Sequence, residues 1–295
     1  MRPFFENNVL QQQPFKPMII VVDTTKAGSA SNTFVLPIIK DTTETVKIYW
    51  GDGTNSTGVT GNNTHVYAVG GIYTIEIESK IFGGLYFNNL GDKAKITKIA
   101  NYGQGVSRLN IGSFFGCSSL LSIDIGNIVS NGADATNQYR GCTALTTVPL
   151  LNLSSVTNAS SMFTDCTSLT TIPLLDLSSV TNATNMFRNC TSLTTVPLLN
   201  LSNCTTATNM FRNCTSLTTI PLLDLSSVTD ATNMFTGVTL TTQSYSDFLI
   251  NLATLPLQSG VSFHGGNSKY NPTAAIARAY LISNFGWTIT DGGAA

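Results

Sequence analysis

The sequence predicts a mixed, β-rich fold in three parts: an N-terminal β-sandwich, a solenoid of stacked 24-residue coils, and a C-terminal α/β cap. Three observations carry that prediction. Cys142, Cys166, Cys190 and Cys214 recur 24 residues apart, each three residues after an aromatic residue, and Cys117 lies 25 before the first of them. A fixed period of this length marks a stacked array in place of an ordinary core. Ahead of residue 82 the period is absent and short β-rich segments alternate. Beyond residue 240 it gives way to two helix-like patterns. The boundaries that follow are an arm at 1–17, a sandwich at 18–81, a transition and N-terminal cap at 82–106, the coils at 107–240 and a C-terminal cap at 241–295.

The arm ends in QQQPFKP, polar and proline-containing, and has no core of its own. It reads either as a disordered leader or as a segment that orders on a partner. In the second case Phe4, Phe5, Leu10 and Phe15 are its assembly anchors. The sandwich rests on five strand-like runs: Ile19 to Val22, Thr33 to Ile39, Val46 to Trp50, Thr64 to Tyr67 and Ile72 to Ile77. Gly51-Asp52-Gly53, directly after the third run, suits a tight turn at positive φ. In the transition, Ile96, Ile99 and Leu109 keep the rhythm of inward residues without the cysteine signature, as a terminal coil should.

A single coil buries too little apolar surface to fold alone. Stacked copies align Leu120, Leu145, Leu169, Leu193 and Leu217 in one ladder, and Phe114, Tyr139, Phe163, Phe187, Phe211 and Phe235 in another. Parallel pairing would set neighbouring coils about 4.8 Å apart. Pro149, Pro173, Pro197 and Pro221 cannot donate to a ladder and mark the edge of a short strand. The Ser/Thr/Asn/Ala stretch before each Met-Phe predicts a turn entering one or two helical turns. Val238 stands where the last coil should have its cysteine, and Cys204 replaces Val156, Val180 and Val228 of other coils. Small apolar volume is therefore the requirement, and the cysteines are expected to be reduced and buried. The cap reads as a helix at Tyr245 to Leu255, a second after Pro272 at Thr273 to Phe285, and a final strand from Gly286 to Ile289.

The Met-Phe-x-x-Cys-x-x-Leu core, as in Met162, Phe163, Cys166 and Leu169, resembles the leucine-rich repeats of bacterial surface proteins, a variety found in adhesins and in some phage proteins. The passage VKIYWGDGT, followed by THVYAVGGIYTIEIES, resembles the polycystic-kidney-disease-type (PKD-like) β-sandwich through Trp50, Asp52, Gly53, His65, Tyr67, Gly71 and Tyr73. These resemblances imply a leucine-rich-repeat solenoid behind a PKD-like spacer, used for attachment and not for a reaction. Arg2-Pro3 and the acidic, amide-rich stretch after it do not form a secretion signal. Surface-type modules without one lead to the expectation of a phage virion surface protein, assembled in the host cytoplasm, as a tail or peripheral fibre-like component. A structural head or tail decoration protein and a bacterial cell-surface adhesin are the alternatives. Expected partners are other virion proteins through the arm or sandwich, and a host surface polysaccharide or protein, with multiple copies of the chain.

Fifteen basic against sixteen acidic residues give a formal net charge of −1, which implies no broad attraction to nucleic acid or an anionic membrane, and Ile19 to Val22 is too short to span one. Arg140, Arg188 and Arg212 hold equivalent repeat positions, with Asp165, Asn189 and Asn213 beside that row. They form the candidate interaction surface, for an acidic sugar or a protein, against the plainer reading of a solvated row on the rim. The two histidines, His65 and His264, lack neighbouring metal-ligand or nucleophile patterns. Asp52 alone does not approach the six to eight oxygens calcium usually takes. No catalytic, cofactor or metal residue is therefore nominated.

Overall fold

The computed structural model describes residues 16–39, 46–79, 84–102, 112–124 and 133–295. Its N-terminal half is built from β1 (Met18–Asp23), β2 (Thr33–Leu36), β3 (Val46–Tyr49), β4 (Asn55–Val59), β5 (Asn63–Val66), β6 (Ile72–Glu78), β7 (Ile96–Tyr102) and β8 (Ser122–Ile123). Alternation decides which face each strand buries: Met18, Ile20 and Val22 of β1 point inward, as do Ile75 and Ile77 of β6. Six strands form one sheet in the order β4-β3-β6-β1-β7-β8, antiparallel except for the parallel β7–β8 pair; β2 and β5 form a separate antiparallel ribbon.

This corrects the fold class expected from the sequence. Among the described residues there is no closed PKD-like sandwich: the six-stranded sheet is open, and the other two strands of this half, β2 and β5, form a two-stranded ribbon. Two of the six strands lie beyond the predicted boundary at residue 81: β1 pairs on one edge with β6 and on the other with β7. Nor is a leucine-rich-repeat solenoid with a curled parallel sheet present. Among the described residues no strand is formed between β8 and Ser262, and successive coils meet through isolated parallel bridges such as Asn158↔Asn182, Asn182↔Thr206 and Thr147↔Thr171. Prolines 149, 173, 197 and 221 withhold an N–H from each coil, which keeps the Leu-rich segments from continuing a ladder.

What the repeat does build is a stack of coils in strict register. Phe163 N–H donates to Met186 O, Phe187 to Met210 and Phe211 to Met234, at 2.9–3.0 Å. Their rings lie parallel: Tyr139–Phe163, Phe163–Phe187, Phe187–Phe211 and Phe211–Phe235 have centroids 5.5–5.6 Å apart and interplanar angles of 3–9°. Beside them the thiols of Cys142, Cys166, Cys190 and Cys214 donate to carbonyls of the preceding coil, Cys166 to Tyr139 O and Cys190 to Phe163 O at 3.2 Å. All six cysteines are free and buried. Burial pushes the thiols up, Cys166 and Cys214 to about 12 and Cys204 to about 11.

The predicted helical turns before and around Met-Phe are absent from the coils among the described residues. Asn185, Asn209 and their equivalents Asn137, Ser161 and Asn233 have φ of 55–59°, and Asp165, Asn189 and Asn213 have φ of 61–63°. A left-handed residue on either side of Met-Phe leaves single turns and no helix. Asparagine, aspartate and glycine recur there because they tolerate that region. Gly237 closes this row at φ +80, where a Cβ would lie 2.5 Å from Asn213 Oδ1.

The stack is closed at both ends. On the N-terminal side Phe87 tilts onto Phe114 at 6.3 Å, and Phe87, Asn88 and Asn89 donate to Ser113, Gly112 and Phe115. A single 3-10 turn, Lys93–Lys95, leads into β7. There Lys95 is fully buried and its Nζ donates to the carbonyls of Ser29, Ala30 and Thr33 at 2.7–3.0 Å, 3.7 Å from the Asp92 carboxylate. Asp92 in turn accepts from Ser29 N–H and Val35 N–H. At the other end α1 (Thr242–Leu252), β9 (Ser262–His264), α2 (Pro272–Phe285) and β10 (Thr288–Thr290) cover the last ring, with Phe248 and Phe263 edge-on to Phe235 at about 6 Å. Thr241 and Asn271 cap the two helices through their side-chain oxygens, and Pro272 opens α2.

Candidate functional site

The coils present three rows of polar side chains, and backbone turn chemistry accounts for most of them. Asn152, Asp176, Asn200 and Asp224 each accept from the N–H two residues on. Asp134, Asn158, Asn182 and Asp230 do the same at a second corner. Such local bonds fix the chain direction at each corner. Threonine hydroxyls link the coils laterally: Thr181 donates to Thr157 O, Thr205 to Thr181 O and Thr229 to Thr205 O, all at 3.1 Å.

The third row contains the predicted interaction residues, and the structure gathers them. Asn213 Nδ2 donates to Asn189 Oδ1 at 2.9 Å and Asn189 Nδ2 to Asp165 Oδ1 at 2.6 Å, an amide ladder headed by a carboxylate. Asp165 Oδ2 lies 3.9 Å from Arg140 Nε, an ion pair without a hydrogen bond, and the Arg140 guanidinium covers the Phe115 ring at 5.0 Å. Asp165, Asn189 and Asn213 are therefore consumed by one another. Arg188 and Arg212 differ. The Nε atoms of all three arginines are buried without a hydrogen-bond partner, but Arg188 and Arg212, both half-buried, have no ion-pair partner among the described residues. The proposed anchors Phe4, Phe5, Leu10 and Phe15 lie outside the described residues.

A further row was not anticipated. Leu150, Leu174, Leu198 and Leu222 are 50–61% exposed on four successive coils, between the buried Val148, Ile172, Val196 and Ile220 and the buried Leu151, Leu175, Leu199 and Leu223. The signal was present in the Val/Ile-Pro-Leu-Leu-Asn/Asp-Leu segment, whose alternation turns the first leucine outward. The row ends in a groove of about 690 Å³ between Leu222 and α1, lined among others by Ile220, Ser244, Asp247 and Ile250.

In the N-terminal half, Trp50, Asp52, His65, Tyr67 and Tyr73 form one cluster. The His65 ring stacks on Trp50 at 4.6 Å and meets Tyr67 edge-on, while Tyr67 stacks on Tyr73 at 3.7 Å. Burial disfavours ionisation of Asp52, but bonds from the Thr54 hydroxyl, His65 and the Thr54 N–H outweigh it and hold the carboxyl at about 2. Tyr67 Oη donates to Trp50 O, which pins the turn. Asp52, Thr54, His65 and Tyr67 are thus occupied in holding the turn. The described residues contain no group of three or more His, Cys, Asp or Glu side chains able to hold a metal ion, and no helix long and apolar enough to cross a membrane.

Comparison with known proteins adds one likeness. A family described as "Mycoplasma protein of unknown function, DUF285" matches residues 133–248, the regular coils and the start of α1. No curated protein and no solved structure matches the chain.

Proposed function

We propose that the chain is a non-enzymatic attachment component, displayed on a particle or cell surface, that engages its partner through the repeated face of the coil stack. The observation that carries this reading is the exposed leucine row. Contiguous apolar exposure on a surface otherwise closed by threonine and asparagine is a feature of interaction sites. Its exact repetition suits a partner that is itself repetitive, since several weak contacts then act together. A phage virion, with the chain on the tail or at a peripheral fibre-like position, is the setting proposed first, with other virion proteins and a host polysaccharide or protein as partners. A bacterial cell surface is the second setting, and the coils are similar to a family of Mycoplasma proteins of unknown function.

Binding of the purified, fluorescently labelled chain to intact bacterial cells tests the proposal. Saturable adsorption that falls at least tenfold in a Leu174→Asp/Leu198→Asp variant supports it. Undiminished adsorption by a folded variant would show that the leucine row is not the contact.

A further inference from the structure

Between residues 133 and 241 the charged side chains are Asp134, Arg140, Asp165, Asp176, Arg188, Arg212, Asp224 and Asp230. Their placement in the stack follows a rule with one exception. Asp176 and Asp224 are separated by Asn200, and Asp134 and Asp230 by Asn158, Asn182 and Thr206, so no acid stacks on an acid. Arg140 is followed by Thr164 and neutralised by Asp165. Arg188 and Arg212 alone put like charges on neighbouring coils, where the stacked rings next to them are 5.6 Å apart. At such a separation two cations repel, and nothing among the described residues compensates: the nearest carboxylate in the row, Asp165, is committed to Arg140 and Asn189. The Nε atoms of all three arginines are buried and unbonded, so what sets Arg188 and Arg212 apart is the counter-ion: Asp165 stands beside Arg140 and no carboxylate pairs with the other two among the described residues. Two guanidinium forks of unmet charge on adjacent coils are a receptor for carboxylate or sulfate oxygens.

We propose that Arg188 and Arg212 form a binding site for an acidic polysaccharide carrying a carboxylate on successive sugar residues. The inference rests on the attachment reading and names the ligand chemistry for a second row of the same coils. The two arginines stand on adjacent coils whose rings are 5.6 Å apart, closer than the about 6.6 Å at which same-side carboxylates recur along an extended acidic peptide.

The test uses the full chain and polygalacturonate as probe, with neutral dextran, dextran sulfate and polyglutamate as comparators, by calorimetry at low and at physiological salt. Polygalacturonate should bind, weaken as salt rises, and lose at least tenfold in affinity in Arg188→Ser/Arg212→Ser. Arg140→Ser should stay within twofold of the parent, since that cation already has its partner. Tighter binding of dextran sulfate, lost in the double variant, would assign the site to sulfated sugars and overturn the carboxylate specificity. Tighter binding of polyglutamate, lost in the same way, would overturn the saccharide assignment. Equal losses in Arg140→Ser and the double variant, or no loss in either, would overturn the site itself. Failure here is separable from failure of the attachment reading, because cell adsorption through the leucine row is measured with the arginines intact.

Discussion

Removing one ring from the middle of the aromatic stack should uncouple the coils on both sides of it. Phe187 is fully buried and faces Phe163 and Phe211 at 5.6 Å on either side, with interplanar angles of 3° and 7°. Phe187→Leu keeps most of the apolar volume and removes two stacked pairs. Each such pair contributes about 0.5–1.5 kcal/mol beyond its buried area, so the loss should be about 1–3 kcal/mol. Phe187→Ala also leaves a cavity and should cost about 3–5 kcal/mol. Arg188→Ala, the next residue but on the half-exposed row, should stay within about 0.5 kcal/mol. Urea unfolding followed by circular dichroism gives the order, and hydrogen exchange gives the place. In a stack whose coils contact only their neighbours, protection should fall first at Phe163, Phe187 and Phe211. A leucine variant as stable as the parent, or an arginine variant less stable than the alanine one, would refute the account of what couples the coils.

Four further outcomes follow from the same contacts. In native protein at neutral pH the six buried thiols should resist iodoacetamide and all should react after denaturation, with intact mass as the readout; any disulfide would appear as missing label. Lys95→Met should cost about 3–5 kcal/mol, because it strands the Asp92 carboxylate and the carbonyls of Ser29, Ala30 and Thr33, and thermal unfolding would register it. Asn185→Ala should cost about 1–2 kcal/mol in urea unfolding, since its φ of 57° suits alanine poorly while its side-chain oxygen gives up no bond. Asp52 has a folded value below the ordinary 3.8, so its contribution is complete above that value and is lost as pH falls toward about 2; Asp52→Asn should flatten stability against pH over that interval.

The period, the ladders and the capping helices were legible because identical residues at identical spacing leave little choice of neighbours. Tyr245 to Leu255 and Thr273 to Phe285 were read within a few residues of α1 and α2, helped by Pro272. The strands β4 and β7 were not. NSTGV carries no apolar alternation, and β7 is identified as a strand by β1, a partner more than 70 residues away. The helical reading of the Met-Phe segment failed because asparagine there answers a positive φ and not a helix cap. For the candidate site, equivalence of repeat positions put Arg140, Asp165, Asn189 and Asn213 on one row, where the structure also has them bonded or paired. It gave no way to see that Arg140 is neutralised while Arg188 and Arg212 are not, since that depends on which coil carries the one aspartate.

The finished ends of the stack decide what kind of array this is. β7 lies against β8 in a register offset of 24 residues, Lys98 opposite Ser122 and Ile99 opposite Ile123, so the six-stranded sheet serves as the template on which the first coil is laid. At the far side Ala231 and Phe235 donate to Ser262 and His264 of β9, which takes the place of a following coil. A bare end would offer the same donors to another molecule and favour growth into filaments. Here growth is possible only within the gene: a duplicated 24-residue unit inserted between Cys190 and Cys214 would meet the same rings, thiols and threonine hydroxyls on both sides. Reach and valency are thus adjustable by whole coils, without altering either terminus of the stack.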